Sequence, residues 1–120
     1  VLLVEDEPDI RFLVRATIER LTDWELLEAE HGLEGAQLAR EVLPDVILLD
    51  VVMPQLDGRA TVEALRTDPA TADTPVIFLT AGVHEDELRP LRQLGAADII
   101  VKPFDPMALP QRIATAMEWT

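Results

Sequence analysis

Five side chains in this sequence stand directly after short apolar runs, and their types belong together chemically. Glu5 and Asp6 follow Val1-Leu2-Leu3-Val4, Asp50 follows Val46-Ile47-Leu48-Leu49, Thr80 follows Val76-Ile77-Phe78-Leu79, and Lys102 follows Ile99-Ile100-Val101. Three carboxylates at close quarters repel: two unit charges about 4 Å apart interact by roughly 4 kcal/mol at an effective dielectric near 20. A hard divalent cation removes that cost. Mg²⁺ in particular takes one or two carboxylates and fills its remaining positions with water or phosphate oxygens. Such a site suits phosphoryl transfer, where positive groups neutralise the equatorial oxygens. An aspartate can itself be the nucleophile and become an aspartyl phosphate. Thr80 can donate to one phosphoryl oxygen and Lys102 can pair with another. Lys102 is the only lysine among ten Lys and Arg residues. A compact ammonium suits a single phosphate oxygen better than a guanidinium fork does.

These residues meet only if the runs that carry them are neighbouring strands with their ends on one edge. The pattern supplies that. Val1–Val4 reads as strand β1, and Glu7-Pro8 opens helix α1, with Ile10, Leu13, Val14, Ile18 and Leu21 at helical spacing facing inward. Trp24–Ala29 is a more polar edge strand β2. His31-Gly32 is a turn, where a lone histidine is structural, and Leu33–Val42 is helix α2. Val46–Leu49 is β3, apolar on both faces as in the middle of a parallel sheet. Asp57-Gly58 is a turn or cap before α3, Arg59–Thr67, with Val62 and Leu65 inward. Val76–Leu79 is β4, Glu85–Leu94 is α4 with Pro90 inside it, and Ile99–Val101 is β5. Asp105-Pro106 caps α5, which runs to Glu118 with Pro110 awkwardly in its interior. Alternating strands and crossover helices demand a mostly parallel sheet with helices on both faces. The expected fold is an α/β, flavodoxin-like three-layer sandwich, its five strands in the order 2-1-3-4-5. That order puts β3 in the centre and sets Glu5, Asp6, Thr80 and Lys102 around Asp50.

Composition narrows the classes. Asp and Glu outnumber Lys and Arg 23 to 10, a formal charge of −13, which argues against direct binding to nucleic acid or an anionic membrane. There is no cysteine, hence no disulfide and no thiolate metal site. No apolar run approaches the length of about 18 residues that a membrane span needs, and no signal-peptide pattern is visible, so the cytoplasm is the expected compartment. The 120 residues suit one domain, and no linker or repeat divides them. Val1 already stands inside an apolar run, so an initiator Met and a few residues are expected before it.

Taken together, Val1–Val4 with Glu5-Asp6-Glu7-Pro8, Leu49-Asp50 with Met53-Pro54 and Asp57-Gly58, Thr80-Ala81, and Lys102-Pro103-Phe104 closely resemble the receiver domain of two-component response regulators. The resemblance runs through the whole chain, in order and at matching spacings. It implies that a sensor histidine kinase or phosphotransfer protein donates a phosphoryl group to Asp50, and that phosphorylation alters an output face made by α4, β5 and α5. It implies that Glu5, Asp6, Asp50 and the backbone carbonyl of Val52 surround Mg²⁺. It also implies that Thr80 and Lys102 bind the phosphoryl group, that the domain promotes its own phosphorylation and dephosphorylation, and that a phosphorylation-dependent homodimer is among its partners. Three features depart from the family. Ile99 stands where an aromatic rotor is common, Val52 where a polar residue is common, and Pro90 and Pro110 interrupt helices of the output face. The alternatives are a degenerate receiver acting only as an interaction module, a small Mg²⁺ phosphatase, and a flavodoxin-type cofactor binder. The phosphatase lacks a proton-transfer group close after Asp50, and the cofactor binder lacks a Ser/Thr/Gly-rich loop after β1.

Overall fold

Short strands whose side chains alternate between two apolar faces can be stabilised only by covering both faces, and that is the architecture observed. The structure, a computed structural model, describes residues 1–51, 58–82 and 84–119. Its elements run β1 (Leu2–Val4), α1 (Pro8–Leu21), β2 (Leu27–Ala29), α2 (Gly32–Val42), β3 (Ile47–Asp50), α3 (Gly58–Thr67), β4 (Val76–Thr80), α4 (Glu85–Gln93), β5 (Asp98–Val101), a 3-10 turn (Pro106–Ala108) and α5 (Leu109–Ala116). The five strands are all parallel, in the order 2-1-3-4-5. Leu2 and Val4 face one core with Ile47, Leu49 and Phe78, covered by Ala39 of α2, Val62 and Leu65 of α3 and Leu91 of α4. Leu3, Leu48, Ile77, Leu79 and Ile100 face the other, covered by Val14 and Ile18 of α1 and Leu109 and Ile113 of α5. This is the period of two expected of a strand.

The structure corrects several boundaries. Strand β2 is only Leu27–Ala29; Trp24 and Leu26 pack against the α1/α5 core without joining the ladder. The inward stripe of α1 is Val14, Thr17 and Ile18, with Leu13 on its margin and Leu21 in the last turn, both exposed. Thr17 is tolerated there because its hydroxyl donates to the Leu13 carbonyl one turn back (2.8 Å). Helix α5 begins later than expected. The Asp105 carboxylate accepts from Met107 N–H (3.0 Å) and caps a separate 3-10 turn. Pro110 therefore falls in the first turn of α5, where its missing N–H is needed by nothing. Pro90, by contrast, does sit inside α4, and Leu91 is the only buried residue of that helix. His31 is structural: it is the N-cap of α2, its Nδ1 accepting from Glu34 N–H (3.2 Å).

Candidate phosphoryl-acceptor site

The carboxyl edge of the sheet gathers the residues singled out by type and spacing. Register places Val4 beside Leu49, Asp50 beside Leu79, and Thr80 beside Val101, so β1, β3, β4 and β5 deliver their next side chains to one rim. Lys102 N–H donates to the Thr80 carbonyl (2.7 Å), continuing the ladder one residue past β5. Two further contacts fix the rim. The Arg11 guanidinium, from the first turns of α1, donates to the Glu5 carbonyl (2.9 Å) and pairs with Glu30 (3.6 Å). Gly58 N–H donates to the Val51 carbonyl (2.8 Å), drawing the start of α3 against the end of β3. A Cβ on Gly58 would lie 2.7 Å from the Asp50 carbonyl oxygen, so no other residue fits without moving the chain that carries Asp50.

Glu5 is fully buried, and Asp50 and Thr80 nearly so; Asp6 is half-buried and Glu7 exposed. Carboxylate oxygens of Glu5, Asp6, Glu7 and Asp50 all lie within 4.8 Å of one another. Into them reaches Lys102, whose Nζ donates to Glu5 Oε1 at 2.9 Å and lies 3.4 Å from Asp50 Oδ1 and 3.7 Å from Glu7 Oε1. Burial pushes the Glu5 carboxyl up to about 8; the bond from Lys102 opposes this, and the Asp50 charge adds to it. Burial also works against the Lys102 ammonium, but Glu5, then Asp50 and Glu7, outweigh it and hold the lysine more firmly protonated than usual. The Thr80 hydroxyl accepts from Gly82 N–H (3.0 Å) in a local turn, which leaves its own proton to donate.

The donor set tests whether a metal fits. Glu5 Oε2 is buried with no hydrogen-bond partner among the described residues. An orphaned carboxylate oxygen is costly. The same carboxyl group offers an oxygen within 4.8 Å of oxygens of Asp6, Glu7 and Asp50, the hard donors that Mg²⁺ selects. A single ammonium, that of Lys102, reaches into this group of four carboxyls. The residues present therefore fit a divalent cation.

Of the residues expected at the site, Glu5, Asp6, Asp50 and Lys102 come together at their side chains, and Thr80 joins them on the same rim. Val52, expected to offer its carbonyl, lies outside the described residues, as do Met53, Pro54 and Asp57. Glu7, Arg11 and Gly58 were missed. Glu7 and Gly58 enter the sequence pattern as a helix opening and as a turn, and Arg11 has no place in it. The signal for Arg11 was its place one helical turn after Glu7, on the side of α1 nearest the β1 end.

Comparison with known proteins gives the family and the fold. Residues 1–114 match the family model described as the response regulator receiver domain. The DNA-binding dual master transcriptional regulator RpaA of Synechocystis sp. is 35% identical over 121 residues, covering 100% of this chain and 49% of that protein. The chain spans about half the length of several such relatives. The Vibrio cholerae chemotaxis protein CheY4 superposes with a TM-score of 0.88 at 30% identity, over 96% of this chain and 95% of that one. The receiver domain of sensor histidine kinase PA1611 from Pseudomonas aeruginosa superposes with a TM-score of 0.87 at 26% identity, over 98% and 95%; that protein carries a magnesium ion in its active-site cleft.

Proposed function

Since the chain belongs to the response regulator receiver family, we propose that it is a phosphorylation switch of a two-component system, with Asp50 as the phosphoryl acceptor. The observation that carries this reading is the Lys102 ammonium lying 3.4 Å from a nearly buried Asp50, beside an orphaned buried oxygen of Glu5. A carboxylate oxygen of Asp50 forms the new bond to phosphorus as the P–N bond of a phosphohistidine breaks. The electron pair leaves with the imidazole nitrogen, which takes up a proton from solvent. Glu5, Asp6 and Asp50, together with the Val52 carbonyl, would hold Mg²⁺. When bound, the ion supplies charge neutralisation for the transferring oxygens. Lys102 pairs with one phosphoryl oxygen, and Thr80 donates to another after turning from its present turn. Movement of Thr80 is then passed to the face formed by α4, β5 and α5.

The partner in this reading is a histidine kinase or phosphotransfer protein of the cytoplasm, and residues 1–120 act as one receiver unit. Among the described residues no helix is long and apolar enough to cross a membrane. The test is intact mass after exposure to acetyl phosphate, with Mg²⁺ or with chelator, for wild type and Asp50→Asn. One phosphoryl group is expected in the wild type with Mg²⁺ and none in the other three samples. Equal incorporation in Asp50→Asn would overturn the assignment. No incorporation in the wild type would favour a receiver that only binds partners.

A further inference from the structure

Glu7 belongs to the carboxylate cluster but has no task in the phosphorylation reading, yet its placement is specific. It is the N-cap residue of α1, and its side chain makes no capping hydrogen bond. Acceptors at that position ordinarily bond the free N–H groups of the first turn. Glu7 instead sets its Oε1 3.7 Å from Lys102 Nζ while remaining largely exposed. An ammonium has three protons, and at rest Lys102 faces three carboxylates: Glu5, Asp50 and Glu7. A phosphoryl oxygen arriving on Asp50 competes with them for the ammonium, and the Glu7 contact, at 3.7 Å, is an ion pair beyond hydrogen-bond distance. Glu5 is buried and hydrogen-bonded, and Asp50 is the acceptor itself. Glu7 is the exposed partner, at the longest distance, and the one that can swing into solvent.

We propose that Glu7 is a positioning residue that latches Lys102 at rest and competes with the incoming phosphoryl oxygen for its ammonium. The latch sets how readily the site accepts a phosphoryl group from an anionic donor that brings no protein contacts. This inference rests on the phosphorylation reading given above.

The test compares wild type, Glu7→Gln and Glu7→Asp in three measurements. They are affinity for beryllofluoride, a stable phosphoryl mimic, at saturating Mg²⁺; the rate of phosphorylation by acetyl phosphate; and affinity for Mg²⁺ alone by calorimetry. In Glu7→Gln the mimic should bind about two- to fivefold tighter, the range for an exposed ion pair, with a matching gain in rate. Mg²⁺ affinity should be unchanged or lower, since a negative charge has been removed. A merely structural role would move all three in one direction. Glu7→Asp keeps the charge but retracts it from Lys102, so it should show the same gain, and in both variants the gain should shrink in high salt. Unchanged or weaker mimic binding in Glu7→Gln would overturn the latch. So would a Glu7→Asp variant indistinguishable from wild type, because the field at the site's mouth would then act without the contact. A wild type that takes up neither phosphate nor mimic would instead sink the phosphorylation reading itself.

Discussion

A proton on Glu5 should set the pH dependence of metal binding. Burial, with Asp50 alongside, raises this carboxyl from 4.5 to about 8 despite the bond from Lys102. At pH 7 it is then mostly protonated. A cation bound to Glu5 must expel the proton, so metal affinity is linked to pH. The apparent Kd for Mg²⁺ should fall about tenfold per pH unit between about pH 5 and 7, then level off above about pH 8. Lys102 remains charged through this range, since its own shift is upward. Without metal, folding is linked to the same proton. The folded state binds more protons than the unfolded chain between 4.5 and about 8. The stabilising contribution is therefore complete below the lower value and lost as pH rises through the upper one. Calorimetry in two buffers of different ionisation enthalpy reads both affinity and protons released: about one per Mg²⁺ at pH 6.5 and about none at pH 9. Glu5→Gln should bind more weakly and lose the pH slope. Equal Kd values at pH 6 and 8 in the wild type, with no proton released, would refute the placement of that proton.

Other consequences follow from the same geometry. Lys102→Met leaves the carboxylates without their cation and should cost about 2–3 kcal/mol in chelator, less than a fully buried broken pair because Glu5 can stay protonated; urea melts should show Mg²⁺ restoring more stability to this variant than to wild type, and equal restoration would count against it. Gly58→Ala pushes a Cβ against the Asp50 carbonyl and should destabilise by about 1–3 kcal/mol, with a neutral melt contradicting the close approach. Helix α4 carries an internal Pro90 and a single buried anchor, Leu91, so its amides should exchange faster than those of α3 at rest and change most on phosphorylation. Resting protection in α4 equal to that in α3, with the change elsewhere, would remove the idea that the signal leaves as a change in helix order.

What the sequence revealed depended on how local the physics was. Asp50 was legible because a strand buried on both faces has to end in its first polar side chain at the sheet edge, and Lys102 because it is the first polar side chain after the apolar run of the edge strand β5. The order of the strands then decided which ends were neighbours. Pro90 and His31 were legible for the same reason, being set by the backbone chemistry of one turn. Glu7 and Arg11 were not, because their roles depend on where a long side chain points after the helix has docked. Arg11 lies beside the inward stripe of α1 and reaches back to the Glu5 carbonyl only once that docking is made. Gly58 was read as turn chemistry, whereas its constraint is a tertiary one, imposed by the end of β3. The late start of α5 was hidden because Asp105-Pro106 is a sound cap for a 3-10 turn as well as for a helix, and Pro110 was the clue that favoured the former.

The central claim, that Asp50 is the residue phosphorylated, is tested most directly by borohydride trapping. Borohydride reduces an acyl phosphate to the alcohol but leaves a free carboxylate untouched. Wild-type protein phosphorylated in Mg²⁺, reduced, and mapped by tandem mass spectrometry should carry homoserine at position 50 and an unaltered carboxylate at Glu5, Asp6 and Glu7. Reduction at any of those three, or none at position 50 in protein whose intact mass shows a bound phosphoryl group, would contradict it.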